Sequence, residues 1–561
     1  MIGTYAAVLA VCLASLATGQ AAIALCGVRR WSWLAPAVGL ALLCAICWGT
    51  VRLPGNGLVP AILVPVLAIA AVLYLRGRLE DGGDALRAGW PVALLALAAT
   101  ALPFVAEGHF GILGTSFNPD MSQHLLAADR LAHGEGSQLL HQGYPLGPHA
   151  IVVALSKGLG IGLVQGFTGL TIAISVLASL TTLAVFRDHP PLLRIPAALV
   201  VGLSYMVASY FAQGAFKETL EAFFFLAFVL SLREASTNPS WRDLPLRFVP
   251  AALLAVGSVY TYSFPGLIWL FGAAAIWALT QLVVARHRSS AVVRPVLWAS
   301  LLFAVLIAPE LGRMIDFHSF ETFDPNGPGL GNLFGQISPF EALGIWPSGD
   351  FRLSPGDGAV PALGYFLGAA FASILLFFGA IVCWRRRETA LLSGLAAAAL
   401  AYAAARFGGT PYTAAKAVEI GAPLAALVIV LPLLRRPVTW LYLLAAGACS
   451  LLALANAPVG PTSYSPALTG LRHDVGEGPT LVLASRQLLE NEHGVPYISW
   501  ELRGGRVCIQ SSDEAGKLPA GVRFVITEGD DWSLRKLRHP VAGKTPCPLI
   551  AVRQARQGPA R

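Results

Sequence analysis

The stretch NPDMSQHLLAADRLAHG, residues 118–134, sets a carboxylate and an imidazole four residues apart, at Asp120 and His124. On a helix that spacing brings both side chains to one side, a turn apart. A carboxylate so placed can take the proton of an attacking hydroxyl, and the imidazole beside it can orient that hydroxyl or a sugar. Asn118 suits a helix cap and Pro119 the first helical position, after which Met121, Leu125, Ala128 and Ala132 share one face. The pattern predicts an amphipathic helix lying on a membrane surface. An acid in that first turn also has a purely structural use, because it stabilises the positive end of the helix dipole. The segment that follows, HQGYPLGPHA, is turn-rich and carries Tyr144 and His149.

Two further groups of polar residues interrupt apolar runs. YFAQGAFKETLEAFFF contains Lys217, Glu218 and Glu221, and ARFGGTPYTAAKAVEIGAP contains Arg406, Tyr412, Lys416 and Glu419. Ionisable groups so near lipid are costly unless paired or functional, although a lone Lys can also snorkel to the headgroups. Lys217 and Lys416, on separate helices at similar depth, can together hold a phosphate, with Arg406 as a further phosphate ligand. His109, His124, His133, His141 and His149 invite a metal, but no HExxH and no pair of histidine ligands at i, i+4 occurs. Hydrogen-bonded surface histidines are the plainer reading. A divalent cation, Mg or Mn, held between Asp120 and a substrate phosphate stays open.

The elements that must position these residues are membrane helices. Hydrophobic residues make up 55% of the 561, charged residues 12%, and the mean hydropathy is +0.64. A bilayer crossing takes about 20 mostly apolar residues in a helix. Fourteen such segments are legible, near 5–27, 31–50, 58–75, 90–105, 162–186, 195–211, 218–232, 248–262, 265–285, 295–309, 362–384, 388–405, 418–434 and 437–457. The first lacks a basic leader and runs into Arg29 and Arg30, which predicts an anchor with its N-terminus outside rather than a cleaved signal. Alternate loops, including those with Arg286, Arg288 and the Arg385–Arg387 run, hold eighteen arginines, against Arg52, Lys217, Arg406 and Lys416 in the short loops opposite. By the positive-inside rule the arginine-rich side is cytoplasmic. The net charge of +8 is then explained by anionic lipid headgroups, and nucleic acid is not needed as a partner.

This topology puts three large segments outside: about 106–161, about 310–361, and everything after about 458. The predicted division is a transmembrane unit, 1–457, and a small extracytoplasmic α/β unit, 458–561, joined by the turn-rich ANAPVGPTSYSP. In the C-terminal unit TLVLAS and VRFVIT read as strands, RQLLENE as a short helix, and YISWELRGGRVCIQ as a hairpin turning at Gly504-Gly505. Cys508 and Cys547 fall there, as a disulfide or as two free thiols, while the other six cysteines lie in or beside apolar spans. In the second loop Phe340, Trp346 and Phe351 offer stacking surfaces for sugar or isoprenoid, and Asp350 or Arg352 hydroxyl contacts, unless that Gly/Pro-rich loop simply packs on the first.

From PDMSQHLLAADRL to YPLGPH, with an acid ahead of a surface helix and a Tyr-Pro turn after it, the layout resembles that of the GT-C glycosyltransferases, in particular the actinobacterial arabinofuranosyltransferase branch. The resemblance covers about residues 90–457. Many members pair two acids in this loop, whereas NPDM has Asp120 alone. The resemblance implies a multi-pass plasma-membrane enzyme that moves a sugar, with inversion, from a polyprenyl-phosphate donor to a cell-envelope glycan or lipid. It makes Asp120 the base, Lys217 and Lys416 the phosphate ligands, and His124 with Tyr144, His149, Glu218, Arg406 and Tyr412 the remaining substrate contacts. A transporter or flippase of a lipid-linked saccharide would instead put charge at mid-bilayer or break helices in two matching repeats. The spans are largely free of charge at their centres, which favours chemistry at the surface. A polysaccharide polymerase or ligase differs chiefly in its donor, a diphosphate-linked oligosaccharide.

Overall fold

The structure, a computed structural model, describes residues 1–542 other than 116–119, 285–288, 319–328, 477–478, 492, 515–517 and 530. Asn118, Pro119, Arg286, Arg288 and Cys547 therefore lie outside the described residues. The chain is a multi-pass helical membrane protein with a small C-terminal sheet. Among the described residues nine helices are long and apolar enough to cross a membrane, ten if the pair Pro191–Gly202 and Tyr205–Ala212, bent by 52°, makes one crossing.

All fourteen apolar segments fall on helices, yet fewer meet the requirements of a full crossing. Ala35–Val51 and Val249–Tyr262 have 17 and 14 residues, short for the hydrocarbon core. Gly82–Thr100 carries Asp84 and Arg87, and Phe216–Thr237 opens with Lys217, Glu218 and Glu221. Helices Leu163–Thr181, Phe216–Thr237 and Pro411–Leu433 are buried along nearly their whole length and form the centre of the bundle. Leu58–Leu75 and Ser289–Ile307 lie at the rim, with large apolar side chains such as Ile62, Ile69 and Leu301 exposed, as lipid-facing helices require.

A fully buried acid, Glu310, holds Arg313, and Arg313 joins the two large loops. Its carboxylate accepts from Trp48 Nε1 at 2.8 Å, Arg52 Nη2 at 3.1 Å and Arg313 Nε at 2.6 Å. Arg313 also donates to the carbonyls of Gly143, at 2.9 Å, and Val259, at 3.0 Å. Gly143 has φ 68°, and a Cβ there would stand 2.4 Å from the Arg313 carbonyl oxygen, so the close approach needs glycine. The turn that carries Tyr144 is thereby fastened to the second loop.

The part of the second loop from 329 on is held against the bundle, unlike the open lid its composition predicts. Residues Pro339–Leu343 form a 3-10 turn closed by Ser338 and Glu341, and Tyr442 Oη donates to the Leu343 carbonyl at 3.0 Å. Trp346 and Phe351 are buried, edge-on to Tyr365 and tilted against Tyr210, so they are core residues rather than open stacking surfaces. Phe340 is exposed. Asp350 and Arg352 bond each other, with Arg352 Nη2 2.7 Å from Asp350 Oδ2.

The junction after the last membrane helix, Pro437–Ala455, is not a free linker. Residues 458–460 pair with the start of the first loop: Gly114 N donates to Pro458 O at 2.8 Å and Gly460 N to Ile112 O at 2.9 Å. Beyond it lies a sheet in the order β2-β1-β3-β4, with β1 Thr480–Ala484, β2 Val507–Ser511, β3 Phe524–Thr527 and β4 Ser533–Lys536. β1 is parallel to β2 and β3, and β4 is antiparallel to β3. The expected hairpin at Gly504-Gly505 is therefore wrong. YISWE is helical, within Gly494–Glu501, and the glycines end that helix and lead into β2, because parallel neighbours need a crossover rather than a tight turn. The strand and helix expectations for TLVLAS, VRFVIT and RQLLENE hold. Cys508 is disulfide-bonded.

Candidate active site

The first-loop helix runs Met121–His133 and ends on Gly134 in the left-handed conformation. Its apolar face is as expected, but Ser122, His124, Ala127 and Leu131 are buried too. One side packs on helix Gly147–Leu159 and the other on Gly494–Glu501 from the C-terminal unit. The expected surface helix thus packs against two other parts of the protein, and Ser122 and His124 are buried there, while His133 stays exposed.

Asp120 begins this helix, its side chain 25% exposed. Gln123 Nε2 donates to Oδ1 at 2.6 Å, His124 Nε2 stands 3.3 Å from Oδ2, and His493 Nδ1 lies 3.8 Å from Oδ1. Burial favours the neutral acid, but His124, His493 and Lys217 outweigh it and hold the Asp120 carboxyl well below the usual carboxylate range. The group is ionised at neutral pH. Behind it, His124 Nδ1 is 3.0 Å from Nε2 of His149, giving the chain Asp120, His124, His149. His149 is 0% exposed, boxed by Phe167, Phe216 and Tyr144, and burial with its imidazole neighbour lowers its pKa well below the ordinary value. It is a neutral imidazole that fixes which way His124 faces.

Lys217 connects this cluster to the second one. Its Nζ sits 4.0 Å over the Tyr144 ring, and its electrostatic neighbours are Glu218, Lys416 and Asp120. Lys416 Nζ bonds Glu218 Oε1 at 3.0 Å and lies 4.3 Å over the Tyr412 ring. The second loop backs this wall: Tyr412 N donates to Gly329 O at 3.3 Å, and a Cβ at Gly331 would stand 2.6 Å from the Tyr412 ring. Deeper, Glu221 and Glu419 are fully buried. Ser258 Oγ donates to Glu221 Oε1 at 2.9 Å, and both Glu419 oxygens lack a hydrogen-bond partner among the described residues.

Eight of the nine residues named from the sequence, Asp120, His124, Tyr144, His149, Lys217, Glu218, Tyr412 and Lys416, are thus connected through contacts. Arg406 is not. It lies exposed near the end of Thr389–Gly408, its guanidinium carbon 5.9 Å from the Phe407 ring, where it can reach headgroups. Two residues were missed, His493 and Tyr464. Tyr464 carries a buried hydroxyl within electrostatic reach of Asp120, and its backbone N donates to Glu501 Oε1 at 2.9 Å. NEHGVP and SYSP read as ordinary turn sequences, and no local signal shows that these segments fold back over Asp120.

The cluster contains an anionic base, two cations and aromatic faces, a set suited to a hydroxyl, a phosphate and a sugar ring. For a divalent cation the fit is poor. Both Asp120 oxygens already face Gln123, His124 or His493, and among the described residues no group of three His, Cys, Asp or Glu side chains could hold a metal.

No protein-family model and no curated protein matches the chain. Among solved structures it is similar to the arabinofuranosyltransferase AftD from Mycobacteria, with a TM-score of 0.47 and 15% identity over 80% of this chain. The chain spans 35% of the length of that protein. It is also similar to ArnT from Cupriavidus metallidurans in the apo state, with a TM-score of 0.43 and 14% identity over 75% of this chain and 85% of that one. For ArnT bound to undecaprenyl phosphate the TM-score is 0.38, with 16% identity over 74% of this chain and 85% of that one.

Proposed function

We propose that the protein is an inverting glycosyltransferase that moves a sugar from a polyprenyl-phosphate donor to a hydroxyl of a cell-envelope glycan or lipid, on the extracytoplasmic side of the plasma membrane. The observation that carries this reading is the ionised Asp120 beside two lysines on different helices, Lys217 and Lys416. A base and a phosphate-binding pair are what the reaction needs at adjacent points.

In the proposed step the acceptor oxygen bonds to the anomeric carbon as the bond from that carbon to the phosphate oxygen breaks. The acceptor proton passes to Asp120, and the electron pair leaves with the polyprenyl phosphate. Lys217 and Lys416 stabilise the charge that grows on the departing oxygen, which is worth most where water is excluded. Lys416 is shared with Glu218, so the donor phosphate competes for an ammonium that is already oriented. His124, held by Asp120 on one side and His149 on the other, is fixed to bind an acceptor or sugar hydroxyl. Glu221 and Glu419, buried and short of donors, suit further sugar hydroxyls. The C-terminal unit, through His493 and Tyr464, covers the base.

The test is transfer by the purified full-length protein from a panel of radiolabelled polyprenyl-phosphate sugars to an envelope extract, comparing wild type with Asp120→Asn. Label in the acceptor with wild type alone supports the reading. No transfer by either protein over the whole panel overturns it in favour of transport.

A further inference from the structure

A polar cavity lies far from Lys416 and the cluster it belongs to. Lys416 and Leu433 are seventeen residues apart on one helix, roughly 26 Å at 1.5 Å per residue. At the Leu433 end a hollow of about 600 Å³ is lined by His189, Arg386, Arg435 and Arg436 over an apolar floor from Val382 and residues 431–434. Among the described residues no carboxylate lines it.

Neither of the acids nearest in sequence lines the cavity. Glu388 takes both Nε and Nη2 of Arg233, at 2.7 and 2.8 Å, and Asp188 faces Arg187 at 3.6 Å. Among the described residues no ion pair uses Arg386, Arg435 or Arg436. His189 Nδ1 is buried and lacks a hydrogen-bond partner. Next to the cavity Trp384 is 74% exposed, as an indole at a membrane interface would be. Three guanidinium groups above an apolar floor match a phosphate attached to hydrocarbon.

We propose that this cavity binds the phosphate of an anionic lipid in the leaflet opposite the Asp120 cluster, with the glycerol and first methylenes on the apolar floor. Neither the residues nor the reaction of the proposed active site enter this argument, so the two readings stand or fall separately.

The test is native mass spectrometry of the full-length protein in nonionic detergent, titrated with phosphatidylglycerol, with phosphatidylcholine of the same chains, and with inorganic phosphate. Wild type should retain phosphatidylglycerol over phosphatidylcholine, and R435Q/R436Q should weaken that retention about tenfold. R76Q/R78Q removes the same charge from the loop after Leu58–Leu75, which does not line the cavity, and should leave retention unchanged. R435K/R436K keeps the charge that sets topology but loses the guanidinium fork, and should fall between. Equal losses in the two Gln pairs, equal retention of the two lipids, or release of phosphatidylglycerol by millimolar inorganic phosphate each overturns the lipid assignment.

Discussion

The buried pair of Lys416 and Glu218 allows a structural role to be separated from a functional one. Its atoms are 3.0 Å apart, with the two side chains 8% and 7% exposed. Lys416→Met leaves the buried Glu218 carboxylate without its bonded partner and with only Lys217 as a cationic neighbour, at a cost of up to about 3–5 kcal/mol. Glu218→Gln leaves an ammonium that the Tyr412 ring, 4.3 Å away, still favours, so its cost should be lower. The double variant E218Q/K416M removes both charges of the pair, leaves Lys217 with Asp120, and should recover most of the stability lost in Lys416→Met, since uncharged replacements of a buried pair are often close to neutral. Donor affinity should not follow stability. If Lys416 also bonds the donor phosphate, losing one charge-assisted hydrogen bond costs about 1.5–3 kcal/mol, or roughly 10–150-fold in Kd. Denaturation in detergent and titration with a polyprenyl-phosphate sugar read the two quantities on the same four proteins. A double variant that binds donor within about twofold of wild type, the usual error of additivity, removes Lys416 from the phosphate site.

Three further outcomes are expected. Asp120→Asn should lower kcat by about 10²–10⁴-fold, the range for loss of a general base. Because the folded carboxyl is held below its unfolded value, its contacts stabilise the protein above about pH 4 and are lost as the pH falls through the lowered pKa. The variant should therefore melt below wild type at pH 7 but approach it toward pH 3, and an equal gap at both would refute an ionised Asp120. His149→Phe keeps the aromatic box but removes the contact with His124 Nδ1, and should reduce kcat about tenfold with little change in melting temperature. Unchanged turnover would make His149 a packing residue. His493→Ala should lower kcat severalfold in the full-length protein while the C-terminal sheet stays folded by circular dichroism, and wild-type turnover would leave that segment as a cover only.

The helices were legible because their signal is long and repeated: each run of apolar residues satisfies its own backbone bonds, and all fourteen fall on helices. What the runs could not give was which are full crossings, since that depends on length margins of a few residues and on charges such as Asp84 and Arg87 near one end. Asp120 and His124 were legible as a local i, i+4 pair. Lys217 and Lys416 could be named because charge near lipid is conspicuous, but their link through Glu218 joins helices 198 residues apart along the chain. His493 and Tyr464 had no such mark. The 458–460 segment that brings them back pairs through backbone atoms with residues 112–114, and backbone pairing leaves no trace in side-chain type. The false hairpin has the same cause, because Gly504-Gly505 reads alike as a turn and as a helix end.

The low proton affinity of Asp120 bears on where the proposed reaction gets its driving force. A carboxylate held by His124, His493 and Lys217 is a weak base, and it cannot remove a proton from a free hydroxyl, whose acidity is far lower. It can do so only late, when the new bond to the anomeric carbon has left the acceptor oxygen positive. The lysine that weakens Asp120 as a base is of the kind that favours departure of a phosphate, and Lys217 neighbours both Asp120 and Lys416. Bond breaking at the phosphate should therefore run ahead of proton transfer. Substitution of Lys217 should slow turnover although it raises the basicity of Asp120, and should slow it more for donors with poorer leaving groups. A Lys217→Met protein that turned over faster than wild type would show instead that proton removal limits the rate.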